Sequence, residues 1–133
     1  MKLKQMVCDL KLAERLKNAG VEQESMFYYV YRPERNKLAE ECTSIEYAAE
    51  KWGVKRSGIW KKDGIRVTSA FTSEELALKI PENVSHTKRY SGRFFVYFLD
   101  SQGEIVNYEA DKTESNARAK MLLNLIQHKF IKQ

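Results

Sequence analysis

Arg93-Phe94-Phe95-Val96-Tyr97-Phe98-Leu99, then Asp100-Ser101-Gln102-Gly103, then Glu104-Ile105-Val106-Asn107-Tyr108 stand in a row near the carboxyl end. The first run is aromatic and branched, which suits a pleated surface better than a helix. It is apolar at successive positions, so it reads as a central strand rather than an edge. The polar tetrapeptide closes on Gly103, as a type I turn followed by a left-handed glycine does in a hairpin. Two antiparallel strands are therefore expected. In the return strand, Ile105 shares a face with Asn107, and Val106 with Tyr108.

After this hairpin, Asp111 or Thr113 offers an oxygen to the first turn of a helix, and Glu114 places negative charge where the dipole favours it. Ala117, Met121, Leu122 and Leu125 recur at helical spacing, widened by Ile126 and Phe130. Lys120, Asn124, Gln127 and Lys129 are left for water. Hairpin and helix are expected to bury each other.

Upstream, Asp9 to Ala19 reads as a helix with Leu12, Ala13, Leu16 and Ala19 on one stripe and Gly20 closing it. Met26 to Tyr31 is the second strand signal, stopped by Arg32-Pro33 because proline has no ladder donor. Thr72 and Glu75 form a reciprocal capping box for a short helix ending before Pro81, and Phe71 can staple onto Leu76. Leu38 to Trp52 carries apolar residues at spacings of three and four. Thr43 followed by Glu46 fits a second capping box, favouring a helix from Ser44 to Gly53. Val54 to Ser69 is ambiguous. Gly58-Ile59-Trp60 and Ile65-Arg66-Val67-Thr68 also suit a hairpin around Lys62-Asp63-Gly64.

The 133 residues suit one domain, residues 1–133, able to bury a real core. No apolar run has the roughly 18 residues that a membrane helix needs. The start, Met1 to Cys8, lacks the apolar core and cleavage site of a signal peptide. Cys8 and Cys42 read as free thiols in a reducing cytoplasm. The net charge of +5 spreads over 23 basic and 18 acidic residues, a pattern compatible with nucleic acid but more often one of solubility.

Three passages together resemble a family of small, mostly uncharacterised proteins of bacteriophages, prophages and related mobile elements of bacteria. They are Leu12 to Tyr31, Ala70 to Pro81, and Ala117 to Ile126. The resemblance covers about half the chain, departs over Leu38 to Val67, and implies a source and a fold but no activity, cofactor or catalytic residue. Separately, Ser44 to Gly64 resembles a helix-turn-helix of the excisionase and MerR-like kind. Ala49 would admit the second helix, Gly53 would turn the chain, and Val54 and Ile59 would fill the corner. Lys55, Arg56, Ser57, Lys61 and Lys62 would meet phosphates or base edges. Gly58 would then fall inside a helix at a cost of about 1 kcal/mol relative to alanine.

The scattered His86, His128, Cys8 and Cys42 lack the close paired spacing of zinc ligands. Cys42 with a distant histidine is a pairing that almost any chain offers. Neither a nucleophile elbow nor a phosphate-cradling glycine loop is present. Glu40, Glu41, Glu46 and Glu50 suit a solvated helix face. Phe27, Tyr28, Tyr29 and Tyr31 carry the aromatic weight of the second strand, with one face for the core and the other for a cover or a partner. At an edge, that strand could pair with a second copy as a homodimer.

The expectation is an α+β fold: an antiparallel sheet of three to five strands with helices packed mainly on one face. The expected function is that of a non-enzymatic accessory protein in a bacterial host cytoplasm, without cofactor or metal, acting through an unknown protein partner. The alternative is a small DNA-binding protein using residues 44–62.

Overall fold

The computed structural model describes residues 2–47, 64–81 and 85–131. In chain order they form helices α1 (Leu3–Met6) and α2 (Leu10–Asn18), strand β1 (Phe27–Tyr31), a 3-10 turn (Ala39–Cys42) and strand β2 (Thr43–Tyr47). Strand β3 (Arg66–Ala70), helix α3 (Ser73–Lys79), strands β4 (Ser85–Tyr90), β5 (Arg93–Leu99) and β6 (Ile105–Asp111), and helix α4 (Glu114–Gln127) follow. The fold is α+β. Its strands divide between two three-stranded antiparallel sheets, ordered β2-β1-β3 and β4-β5-β6.

Helix α4 packs against β5, β6, α1, α2 and α3. Ala117, Ala119, Met121, Leu122 and Leu125 are fully buried, and Leu123 nearly so. These residues lie on more than one side of the helix, as its position between other elements requires. One apolar cluster joins them to Leu12 and Leu16 of α2, Tyr29 of β1, Leu76 of α3, and Val96 and Phe98 of β5. The hairpin and the helix thus share one core, which also draws on the first sheet.

The polar side of α4 does not face open water along its length. Lys120 Nζ donates to the Ala110 carbonyl at 3.1 Å and lies 2.7 Å from Asp111 Oδ2. Asn124 accepts from Asn107 Nδ2 at 2.7 Å and donates to Glu109 at 2.8 Å. Lys120 and Asn124 therefore meet Asn107, Glu109 and Asp111, which alternate along the inner side of β6 and satisfy the helix's polar groups.

The caps follow from local chemistry. Asp9 accepts from the Leu12 N–H, Thr72 from Glu75 and Thr113 from Asn116. Gly20 takes φ +92° after α2, where a side chain is disfavoured. Between β5 and β6 the Gly103 N–H donates to the Asp100 carbonyl at 3.1 Å, and the register shifts between Phe98 and Leu99. The turn closes on a left-handed glycine as expected, and the shift is a separate irregularity within the ladder, where Val106 is the extra residue between Ile105 and Asn107.

The helix expected from Ser44 to Gly53 is replaced at its start. Thr43–Tyr47 is extended and pairs antiparallel with β1, with Tyr29 opposite Ile45. Glu46 does not return to a cap. Its carboxylate accepts from Arg32 and, at 2.9 Å, from the Ser44 hydroxyl. A ladder of backbone bonds and this ion pair override the local capping signal. The remainder of that helix, and the 58–60 arm of the expected hairpin, lie outside the described residues. The other arm is present as β3, which takes β1 as its neighbour.

Candidate nucleic-acid interface

The middle strand β1 is flanked on both sides, so its backbone is not free to pair with a second copy. Tyr28 and Tyr29 are buried, and their hydroxyls donate to the Gln23 and Cys8 carbonyls at 3.1 and 2.7 Å. Phe27 is half-buried with its ring edge-on to Tyr47, and the half-buried Tyr31 lies beneath the Arg66 guanidinium. Of this expected protein surface, Tyr28 and Tyr29 are withdrawn into the interior. Lys55, Arg56, Ser57, Lys61 and Lys62 lie outside the described residues. Among the described residues, Ser44 is part of β2 rather than of a first DNA-reading helix.

An aromatic surface does form, on the second sheet. Strand alternation and the register divide β4–β6 into two faces. Phe94, Val96 and Phe98 point to the core, opposite Arg89, Thr87 and Ser85 on β4 and Asp111, Glu109 and Asn107 on β6. Lys88, Tyr90, Arg93, Phe95, Tyr97 and Tyr108 point the other way. Tyr90 and Tyr108 are 67% and 58% exposed, and Phe95 and Tyr97 are half-buried.

Phe95 is the hub of these rings. Its centroid lies 6.4 Å from Tyr90, 6.2 Å from Tyr97 and 6.3 Å from Tyr108. Tyr97 and Tyr108 are 6.5 Å apart, directly opposite across β5 and β6. The planes of Phe95 and Tyr97 are within 13° of parallel. The pairs sit at the separations at which rings attract one another, so the patch is ordered before any ligand arrives.

The charge on this face is of one sign. Lys88 is the cross-strand neighbour of Phe95, and Arg93 that of Tyr90; both cations are exposed. Among the described side chains that β4–β6 direct outward, none is a carboxylate. The acids of β6 point inward, where Lys120 and Asn124 hold them. Burial raises the affinity of Asp111 for its proton, but hydrogen bonds from Lys120, the Lys112 N–H and Asn116 outweigh it and keep this carboxyl below its usual range.

Elsewhere, an open cleft of about 290 Å³ lies beside α2, lined by Glu14, Lys17, Tyr29, Tyr31 and Arg66 among others. Arg118 clamps three elements, donating to Thr87 of β4 and to the Ser73 carbonyl and hydroxyl while pairing with Glu114 at 3.4 Å. Among the described residues no group of three His, Cys, Asp or Glu side chains is placed to hold a metal ion. None of their helices is long and apolar enough to cross a membrane.

Sequence reasoning missed the outward face because Phe94 to Leu99 reads as apolar throughout, which signals burial on both sides. Tyr90 and Tyr108 on the flanking strands were the available clue, each alternating with polar neighbours. No protein-family model, curated protein or solved structure matches the chain.

Proposed function

We propose that this chain is a non-catalytic nucleic-acid-binding protein, working as an accessory factor of a phage or mobile element. It takes its ligand on the outward face of β4–β6. One observation carries the reading: a preformed group of rings lies exposed beside Lys88 and Arg93, with no outward carboxylate among the described side chains. Rings attract the flat faces of bases, and cations attract phosphates. The overall charge of +5 favours the same polyanion at long range. A protein partner was the first expectation from sequence; of the four residues weighed as its surface, Tyr28 and Tyr29 are interior while Phe27 and Tyr31 are half-buried.

The test is a titration of a labelled pool of mixed-sequence oligonucleotides, single- and double-stranded together, followed by fluorescence anisotropy at several salt concentrations. Affinity should fall steeply and linearly on a log–log plot as counterions compete. Lys88→Glu and Arg93→Glu should each weaken binding and flatten that slope. Absence of binding at low salt, or a slope that neither substitution changes, overturns the proposal.

A further inference from the structure

Resting on that reading, we infer that the ligand is a single strand whose bases lie on Phe95, Tyr97 and Tyr108 while Lys88 and Arg93 hold its phosphates. The rings decide between strand forms. In a duplex the bases stack on one another and turn only their edges and the phosphate backbone outward, so a paved aromatic surface finds little to contact. An unpaired strand exposes base faces, and these are what aromatic side chains on an open sheet bind.

The hydroxyls agree. The interior Tyr28 and Tyr29 donate to backbone carbonyls. Among the described residues, Tyr90, Tyr97 and Tyr108 have no hydrogen-bond partner for theirs. Their position is therefore set by ring contacts and by the strands, and the hydroxyls are free to meet a base edge or a phosphate.

The register supplies the spacing of charge to ring. Lys88 stands directly across from Phe95, and Arg93 from Tyr90, so each cation has a ring beside it on the same face. A chain that alternates flat base with anionic phosphate finds the same alternation across β4 and β5. The Ser91-Gly92 turn, with both residues at positive φ, brings Tyr90 and Arg93 together at the end of the sheet. Phe95 touches every other ring of the group and should carry the largest share of the affinity.

The experiment compares a labelled single strand of oligothymidine, about 12 nucleotides long, with a hairpin duplex of matched phosphate number. Both are titrated onto the full chain and onto Phe95→Ala, Tyr108→Ala and Tyr90→Ala. The single strand should bind at least about tenfold more tightly than the duplex. Phe95→Ala and Tyr108→Ala should each weaken it by about tenfold or more, in the range found when a stacking ring is removed, with the duplex unchanged. Tyr90→Ala, at a site 67% exposed, guards against loss through misfolding, and it should weaken the single strand while the thermal melt is preserved. Equal or tighter duplex binding, or single-strand affinity unaltered in every ring variant, overturns this inference and leaves the broader nucleic-acid reading standing. Failure of the wild-type chain to bind either probe overturns both.

Discussion

Lys120 of α4 reaches Asp111 at the end of β6, with Nζ 2.7 Å from Oδ2, and the same amine donates to the Ala110 carbonyl. The bond ties the helix to the strand whose opposite side carries Tyr108. It also removes a carboxylate from the side of the sheet on which a polyanion would dock. Lys120→Met keeps the apolar stem and should cost about 1 kcal/mol near neutral pH, the upper end for a pair open to solvent. Asp111 has its pKa lowered by folding. Its contribution is therefore fully present above the ordinary carboxylate range and lost as pH falls through the depressed value. Urea melts of wild type and Lys120→Met should differ at pH 7 and converge in strong acid. A gap independent of pH would exclude this pair as its source.

Glu75 serves two elements at once. Oε1 accepts from the Thr72 N–H at 2.9 Å to close the cap of α3, and Oε2 accepts from the Met26 N–H at 2.9 Å, just before β1. Thr72→Ala removes one half of the capping box and should cost about 1 kcal/mol. Glu75→Ala removes the other half and also leaves Met26 without its acceptor, so it should cost more, about 2 kcal/mol. Denaturant midpoints measured side by side give the order. Equal losses would show that the Met26 bond contributes nothing.

Much of this architecture could be read in the chain before any coordinates. Asp9, Thr72 and Thr113 cap their helices because capping needs only one side-chain oxygen and a neighbouring N–H, both local. Gly103 and Gly20 take positive φ for the same local reason. Long-range ladders override such signals. Thr43 and Glu46 have the residues of a cap, yet Arg32 draws Glu46 away and β1 supplies a ladder for Thr43–Tyr47. Nor does periodicity tell which apolar face of β5 meets the core. Phe94 and Phe95 are equally apolar, and only the position of α4 turns one inward and leaves the other open. The polar stripe of α4 was legible as polar, but its partners on β6 were not, because they depend on how the elements dock.

The two cysteines should differ sharply in reactivity. Cys8 is fully buried, and burial pushes its thiol up to about 12. Its carbonyl accepts from Tyr29, and its N–H donates to Phe71. Cys42 is partly exposed. At pH 8 a maleimide should label Cys42 in the native protein and both thiols after denaturation. The raised value at Cys8 also means that its contribution to stability is complete below the unfolded thiol's pKa and declines as pH rises through the folded one. Tyr29→Phe leaves the Cys8 carbonyl without its buried donor. It should cost about 1 to 2 kcal/mol and speed native labelling of Cys8. Native labelling of Cys8 as fast as Cys42 in the wild type would contradict the burial of Cys8 and the Tyr29 bond to its carbonyl.

The turn between β4 and β5 offers a change that should stabilise. Ser91 and Gly92 occupy φ +52° and +73°, the two positive values of a type I′ turn between Tyr90 and Arg93. Serine tolerates that first position less well than asparagine does. Ser91→Asn should therefore raise stability by about 0.5 kcal/mol. Gly92→Ala should do the opposite. A Cβ placed at Gly92 meets nothing within 4 Å, so no clash contributes and the whole cost is backbone conformation. That cost is about 1 kcal/mol or slightly more for a left-handed alanine. Thermal melts of the two variants should move in opposite directions. If Gly92→Ala melts with the wild type, the turn is not held at positive φ, and the side-by-side placement of Tyr90 and Arg93 loses its structural basis.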